Sequence, residues 1–552
     1  MRALPWVLGV AFVALVFAQG WVNEDAFIIF RTVDNFHDGF GLRWNTFERV
    51  QSYSCASWTL LLTAFDTFVR NPFLSAIVLS LILAAGTAWL AARWCKGEAP
   101  WRLAFLIGLL ASSKSFIDYS SSGLENPLAN FLLAAVLVEY AAFLAASRET
   151  EVRHAALLLT ASAFLVLTRQ DLALIAGPAA LHVLIRLGMR RGLTTVAGLC
   201  LVCGLPILAW EAFSLLYYGF LVPNTAFAKL AHGAPTSIIR EEAYQFFVAT
   251  VHSDPITVGI VAFGILYAAA RSTLADRLVM CGVTAYLVYV WKIGGDWMVG
   301  RFFAAPLLAA AFVLSRRVGP RIALACVAVL AVMTVREPLP PLKFWKPYPR
   351  EAVHLWGVID PKAGKYGPKE ARLLLHGARP YEGDKVYQLG VAFRNGPEKV
   401  VVRGDVGRFG YGAGPGKIVV DSMGLSDPLL ARLPAERVLR SGHYERYVPD
   451  GYLESLATGV NHIADPDLAA YYDRLKSVTQ GPLFDAARLH DVLDMNIGKF
   501  EPLRQAYIAH RQVAIAEHHE RRRREIMSQQ APPPPEREPA PAAPAPNPEH
   551  LP

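Results

Sequence analysis

Two adjacent carboxylates, Glu24-Asp25, follow directly on the first long apolar run of the chain. Side by side at a membrane surface they repel each other and lie in reduced dielectric, which raises the pKa of one of them. A carboxylate poised in this way can take a proton near neutral pH, the task of a general base. The plain alternative is a pair of acids that complements the dipole at a helix start. Four more polar clusters are embedded in apolar surroundings. They are Lys114-Ser-Phe-Ile-Asp-Tyr-Ser-Ser-Ser-Gly-Leu-Glu125-Asn-Pro127, Thr168-Arg169-Gln170-Asp171, the stretch from Tyr217 to Lys229 with Pro223-Asn224-Thr225, and Trp291-Lys292-Ile-Gly-Gly-Asp296-Trp297-Met-Val-Gly-Arg301. Ionisable groups at membrane depth are costly and therefore functional suspects.

Stepping outward to the elements that must hold these groups, composition splits the chain. Of 54 Lys+Arg and 46 Asp+Glu, 24 and 19 fall before residue 336, leaving 30 and 27 in the rest. The first 335 residues are thus about 13% charged and the remainder about 26%, the level of an ordinary soluble domain. With 53% hydrophobic residues and a mean hydropathy of +0.30, a single soluble globule is excluded. The net charge of +8 divides as about +5 and +3, with no concentrated basic face, so it does not indicate a nucleic-acid partner and fits the positive-inside bias of a membrane protein. The expected fold is a multi-pass α-helical membrane protein followed by a soluble α/β domain.

Apolar runs at 4–18, 73–93, 101–113, 127–147, 154–168, 171–186, 195–216, 256–270, 278–291, 303–315 and 322–335 predict about eleven spans. Several fall short of a full span and are expected to extend into flanking residues. Val16-Phe17-Ala18 imitates a signal-peptidase site, but the later spans favour an uncleaved first helix. With Arg2 cytoplasmic, alternate loops carry Arg93/Lys96/Arg102, Arg148/Arg153, Arg186/Arg190/Arg191, Arg271/Arg277 and Arg316/Arg317/Arg321, as cytoplasmic loops should. All the polar clusters then share the opposite, extracytoplasmic face. Residues 24–50 and 57–69 read as amphipathic helices in the interface.

The domain expectation is 1–335 for the membrane part, with 22–72 as its external loop, 336–527 for the extracytoplasmic soluble part, and 528–552 for a disordered Pro/Ala-rich tail. Pro338, Pro340, Pro341, Pro347 and Pro349 make a stiff exit from the membrane. Lys399–Arg403 and Lys417–Asp421 are strand-like, while 370–375, 468–475 and 514–527 are helical. The glycines between 404 and 416 fit no phosphate-binding spacing and are expected in a turn-rich connection. Six cysteines, none after Cys326, offer the soluble part no disulfide framework; Cys200 and Cys203 read as small buried hydrophobes. His232, His252 and His443 show no zinc spacing.

Taken in order, Asn23-Glu-Asp-Ala-Phe-Ile-Ile-Phe-Arg31, Gly41-Leu-Arg-Trp-Asn45, Ser122-Gly-Leu-Glu-Asn-Pro127, Leu167-Thr-Arg-Gln-Asp171, Tyr218-Gly-Phe-Leu-Val-Pro-Asn-Thr-Ala-Phe-Ala-Lys229 and Gly294-Gly-Asp-Trp-Met-Val-Gly-Arg301 resemble the GT-C glycosyltransferases that use polyprenyl-phosphate sugars. The subgroup they resemble is the bacterial arabinofuranosyltransferases. The likeness continues in Gly407-Arg-Phe-Gly-Tyr-Gly-Ala-Gly-Pro415, Asp421-Ser-Met-Gly-Leu-Ser-Asp427 and Gly442-His-Tyr-Glu-Arg446. Two departures stand out: the usual Asp-Asp pair is Glu24-Asp25, and the usual Thr-Arg-Pro-Asp is Thr-Arg-Gln-Asp.

The resemblance implies transfer of a sugar, arabinofuranose first, from a polyprenyl phosphate to a hydroxyl of a cell-envelope glycan or surface protein, outside the bacterial cytoplasmic membrane. Such transfer needs a base on the acceptor and cations on the leaving phosphate. Asp25 is the expected base, with Glu24 second. Arg169, Lys229, Lys292 and Arg301 are the candidate phosphate holders. Glu125, Asp171, Asn224, Asp296 and Trp297 are candidates for binding sugar or acceptor. A divalent Mg, Mn or Ca ion is a candidate cofactor through Asp25, Glu125 or Asp296. The competing readings are another lipid-linked sugar, such as mannose or an aminosugar, and a transporter or flippase of a polyprenyl-linked substrate, which would ordinarily show internal repeats.

Overall fold

The computed structural model describes residues 3–230, 233–336, 354–355, 357–362 and 379–530. Arg2, His232, the five exit prolines, the helical stretch 370–375 and the tail from 531 lie outside the described residues. Helix α1 (Leu4–Ala18) leads to α2 (Ala26–His37) and α3 (Ala56–Val69). They are followed by α4 (Pro72–Trp94), α5 (Pro100–Ser112), α6 (Lys114–Tyr119), α7 (Asn126–Ala145) and α8 (Glu151–Thr168). Next come α9 (Ala173–Arg191), α10 (Leu193–Tyr217) and the short α11 (Asn224–Leu230). The apolar half closes with α12 (Thr236–Ser253), α13 (Pro255–Arg271), α14 (Leu274–Lys292), α15 (Ala304–Arg317) and α16 (Pro320–Arg336).

Among the described residues six helices are long and apolar enough to cross a bilayer: α4, α7, α8, α9 with the turn before it, α10 and α14. The pair α12–α13 makes a seventh if its two arms, bent by 106°, are one span. The sequence reading saw only the second arm, because α12 carries Arg240, Glu241 and Glu242. The bend sits at Asp254-Pro255, where Asp254 caps α13 by accepting from the Thr257 amide at 3.1 Å and fastens it to α6 by accepting from the Ser115 amide at 2.7 Å. Helices α1, α5 and α15, expected to lengthen, stay at 15, 13 and 14 residues. α15 is instead the hub of the bundle, buried along Ala304–Ser315, and its alanines admit close neighbours such as Gly264 of α13. By contrast, α10 is covered by protein over only 11% of its apolar window, as suits a helix that faces lipid.

The basic clusters gather at one end of this bundle. Arg93 pairs with Glu139, which also meets His154, and Glu151 holds both Arg190 and Arg191. Arg102 donates to the Ser315 carbonyl, and Arg317 pairs with Asp276.

Beyond the bundle, β1 (His354–Leu355) and β2 (Val358–Ile359) form a small antiparallel pair. Ile359 also exchanges backbone bonds with Trp297 and Val299, fastening this segment to the 294–301 loop. Farther on, α17 (Lys385–Asn395) precedes β3 (Val400–Arg403), α18 (Gly407–Ala413) and β4 (Ile418–Asp421). β3 and β4 pair in parallel, Val400 opposite Ile418 through Arg403 opposite Asp421. The expected turn-rich glycine stretch is therefore largely a helix. Its glycines permit close approach: a Cβ at Gly407 would lie 2.2 Å from the Glu24 carbonyl oxygen, and one at Gly410 2.3 Å from Trp44. A hairpin of β5 (Arg437–Arg440) and β6 (His443–Glu445) follows, then α19 (Tyr452–Thr458), α20 (Pro466–Gln480), α21 (Ala486–Asn496) and the 30-residue α22 (Glu501–Gln530).

The two halves share cores. Phe220 packs with Leu429, Leu430, Tyr452 and Val478, while Ile28 and Trp44 pack with Phe409 and Val419. Helix α2, expected to lie in the interface with one face in lipid, is buried on nearly every side between the halves. Arg31 explains why it carries charge: its guanidinium donates to the Gly410 and Lys417 carbonyls and lies 4.5 Å from the centroid of Trp44. As to the cysteines, Cys203 is buried and Cys200 exposed, and all six are free thiols.

Candidate active site

At the end of the bundle opposite the basic clusters, two cavities meet. The first, about 270 Å3, is lined by Asp25, Glu125, Arg169, Asp171, Lys229, Asp296 and Arg301 among others. Seven of the eleven residues singled out from sequence thus converge from five separate segments of the chain. Glu24 and Trp297 line the second cavity, about 480 Å3, which shares Asp25, Lys229 and Gly442 with the first.

The other two residues lie elsewhere. Asn224 bridges the halves: its amide donates to the Gly424, Leu425 and Asp427 carbonyls and its oxygen accepts from Arg432, which leaves nothing to offer a sugar. Lys292 ends α14, exposed, outside both cavity walls.

Each charged side chain is held by its neighbours. Arg169 is bidentate to Asp171, at 3.2 and 2.5 Å, donates to the Tyr286 hydroxyl and lies 3.9 Å from Glu125. Arg301 Nε sits 2.7 Å from Asp296 Oδ2, and its Nη1 3.9 Å from Asp25 Oδ2. Both guanidiniums flank Phe302, 4.8 and 5.1 Å from its centroid. The loop that carries Asp296 and Arg301 turns on glycines with left-handed backbone. Gly295 (φ 72°) presses on Phe246, and Gly300 (φ 77°) presses on Ser115, where a Cβ would stand 2.2 Å from the hydroxyl. Any other residue would displace this loop.

Asn23 ties the acidic pair to the same loop, and sequence reading passed over it. Fully buried, it accepts from the Asp25 amide at 2.9 Å, its own amide nitrogen donates to the Ser122 carbonyl, and its side-chain nitrogen lies 3.0 Å from Met298 Sδ. Burial raises the pKa of Asp25; Asp296 and Glu24 push the same way, while Arg301 and Lys229 oppose. The side chain still keeps 35% of its surface open to the cavities. Lys229 is lowered by its place in the recess and then by the Arg301 guanidinium. Among the described residues no group of three or more His, Cys, Asp or Glu is arranged to hold a metal ion. Asp296, a candidate ligand, is instead engaged with Arg301.

The set can therefore hold an anion among Arg169, Lys229 and Arg301 while presenting Asp25 as a base at the junction of two cavities. Comparison with known proteins agrees with the motifs. The chain is 30% identical over 350 residues to the terminal beta-(1->2)-arabinofuranosyltransferase of Mycobacterium tuberculosis, covering 56% of this chain and 54% of that protein. It is 28% identical over 336 residues to the protein of the same name from Corynebacterium glutamicum, covering 52% and 47%. The chain is similar to arabinofuranosyltransferases. It spans about half the length of these curated relatives.

No family model matches the chain. Among solved structures, ArnT from Cupriavidus metallidurans bound to undecaprenyl phosphate aligns with a TM-score of 0.48 at 15% identity, covering 75% of this chain and 85% of that one. The Archaeoglobus fulgidus oligosaccharyltransferase in its apo form aligns at 0.45 and 11%, covering 86% and 71%.

Proposed function

We propose that this protein is a GT-C-type membrane glycosyltransferase that moves a sugar, arabinofuranose first, from a polyprenyl phosphate to a hydroxyl of a cell-envelope glycan or surface protein. The observation that carries the reading is the convergence of Asp25, Glu125, Arg169, Asp171, Lys229, Asp296 and Arg301 on one cavity. A second feature supports a lipid-linked donor. An apolar groove of about 850 Å3 runs between α3, α7, α8 and α10, walled by Leu60, Leu128, Leu167, Pro206, Trp210 and Phe213. Its wall includes Ala56, next to Cys55 of the polar cavity, and Leu167, two residues before Arg169. A prenyl chain in this groove would leave its phosphate at the cations.

In the proposed reaction the acceptor oxygen forms a bond to the anomeric carbon while the bond from that carbon to the phosphate oxygen breaks. The acceptor proton passes to Asp25, and the electron pair of the broken bond stays on the phosphate, facing Lys229, Arg301 and Arg169. Glu125, Asp171 and Asp296 hold the guanidiniums in place and offer oxygens to the sugar hydroxyls. Direct attack with Asp25 as base inverts the anomeric centre.

The grouped basic clusters support a cytoplasmic end, and we infer from it a site and C-terminal half on the extracytoplasmic side of the cytoplasmic membrane. Besides the six or seven longer helices, the described residues hold four shorter apolar ones, α1, α3, α5 and α16; taking α3 as interfacial and the buried α15 as a span, our reading is about eleven spans. The test is to supply purified protein in lipid with radiolabelled polyprenyl-phosphate arabinofuranose or with a nucleotide sugar. Release or transfer only from the lipid-linked donor is expected; efficient turnover of the nucleotide sugar without a lipid carrier would overturn the reading.

A further inference from the structure

The second cavity shares Asp25 and Lys229 with the first, but Arg169, Asp171, Asp296 and Arg301 do not line it, and its remaining walls have a chemistry of their own. One side is the tip of the β5–β6 hairpin, reaching over from the C-terminal half onto the 294–301 loop. Ser441 Oγ donates to the Gly294 carbonyl at 2.7 Å, the Arg440 guanidinium lies 4.4 Å from the centroid of Trp297, and the His443 ring meets Trp297 edge-on at 5.2 Å. Arg440 Nη2 and His443 Nε2 are 3.2 Å apart, and His443 Nδ1 faces the Ser441 carbonyl. These two contacts fix an uncharged imidazole with its proton on Nδ1. The opposite wall is the acidic pair itself with the 404–407 turn, where Asp405, paired with Arg403, is 42% exposed and marks the open side.

We infer that this cavity is the acceptor subsite, built for the end of a neutral oligosaccharide, with Arg440 as a specificity-determining residue. The inference rests on the proposed transferase reading and adds the substrate class and its residues. Three features argue for it. An acceptor hydroxyl entering from this side reaches Asp25 from the face away from Arg169 and Asp171, which line only the first cavity. The volume lies within the ~300–1,000 Å3 typical of small-molecule pockets. The charged lining is four carboxylates, Glu24, Asp25, Asp405 and Glu445, against two cations, Lys229 and Arg440. Such a balance repels an anionic acceptor, while the oxygens, the guanidinium donors and the Trp297 ring suit hydroxyls on a compact apolar frame. Arg440 has five N–H donors, and stacking on Trp297 holds its fork in the cavity wall.

The experiment uses the full chain in lipid nanodiscs with polyprenyl-phosphate arabinofuranose and neutral arabinofuranosyl oligosaccharides of increasing length. Transfer to the acceptor and hydrolysis of the donor by water are both measured. Arg440→Met keeps the apolar stem over Trp297 and removes the donors. It is expected to raise the acceptor KM about tenfold or more, the scale of lost hydrogen bonds from a charged donor, with donor KM and hydrolysis within about twofold, a change too small to report a lost contact. Arg440→Lys should restore part of the acceptor affinity. Unchanged donor hydrolysis certifies a folded variant. An unmoved acceptor KM, a parallel rise in donor KM, or better use of a uronate-bearing or amine-bearing acceptor than of the neutral one overturns the inference while the transferase reading stands. Wild-type protein that neither hydrolyses nor transfers from the lipid donor removes both.

Discussion

Asp25→Asn separates the chemical role of this residue from a structural one, because it keeps the size and hydrogen-bonding reach of the side chain and removes its basicity. The structural cost follows from the geometry. Asp25 Oδ2 is 3.9 Å from Arg301 Nη1, a distance worth about 4 kcal/mol at an effective dielectric of about 20 and about 1 kcal/mol in water. With 35% of the side chain exposed, solvent screening brings the value toward the lower figure. Arg301 keeps Asp296 at 2.7 Å, so the variant should insert and fold with its stability nearly intact. A positioned base contributes about 10²–10⁴-fold, or about 3–5 kcal/mol at 1.36 kcal/mol per decade. The expected outcome is transfer reduced about 100-fold or more, read in single-turnover assays on the lipid-linked donor. Glu24→Gln should cost less. The pH profile supplies a second readout: burial raises Asp25, so the rate should fall on the acid side above the ordinary carboxylate range, and Asp25→Asn should lose that limb. A variant that keeps more than about a tenth of the wild-type rate, short of the ~10²-fold expectation, refutes the assignment and passes the role to Glu24 or Glu125.

Arg301→Lys should raise the donor KM and lower kcat together, because a point charge replaces a fork that spans Asp296 and the leaving phosphate; kinetics with donor varied checks this. Burial first, against the Leu430 amide and Tyr452, lifts Asp427 to about 7, and burial lifts Asp421 to about 6. Both titrate near 3.9 when unfolded, so the folded state binds more protons between about pH 4 and 7. Stability therefore falls as pH rises through that window and levels off above it; melting followed by tryptophan fluorescence should show the slope, and Asp427→Asn should flatten it. At Gly219 (φ 85°) a Cβ would lie 2.3 Å from Val478 Cγ1. Gly219→Ala should destabilise by about 1–3 kcal/mol through overpacking, seen as earlier proteolysis of the C-terminal half. A reporter active only in the cytoplasm, fused after Arg336, should be silent; a strong signal would reverse the topology.

The converging residues were legible because a membrane protein has only two ends. Once short basic loops claim one end, every charge left in an apolar stretch must face the other, and Asp25, Glu125, Arg169, Asp171, Lys229, Asp296 and Arg301 do meet there. What sequence could not give was tertiary accounting. Asn224 shares the short helix α11 with Lys229, and Lys292 ends α14 beside the same polar clusters. Only the partners of Asn224 show that its amide is spent on the Gly424–Asp427 backbone, and only its exposure sets Lys292 apart. Helix α2 looked interfacial because its charges alternate with apolar residues, yet a second core covers its polar side and Arg31 finds carbonyls there. Glycine lowers helix propensity, so a helix at 407–413 was invisible without the close contacts that require glycine there.

The 357–362 segment carries a further consequence. Lys362, 1% exposed, bonds Asp118 Oδ1 at 2.6 Å and Gln19 at 2.8 Å, while Lys114 bonds both Asp118, at 2.6 Å, and Asp360, at 2.7 Å. Asp118 and Lys362 are separated by 244 positions, with every helix from α7 to α16 between them. At a synthesis rate of about 5–20 residues per second, Asp118 waits roughly 12–50 s for its second lysine. Lys114 and Asp118 already neutralise each other, so the later segment adds one lysine and one aspartate to a buried, charge-balanced network beside the loop around Tyr119, whose hydroxyl donates to the Val299 carbonyl. The walls of the proposed transfer site include Leu425, Arg440, Gly442 and Tyr444 as well, so it is completed only from chain made after the whole bundle, and a ribosome that stalls within the bundle leaves behind an inserted protein without a finished site.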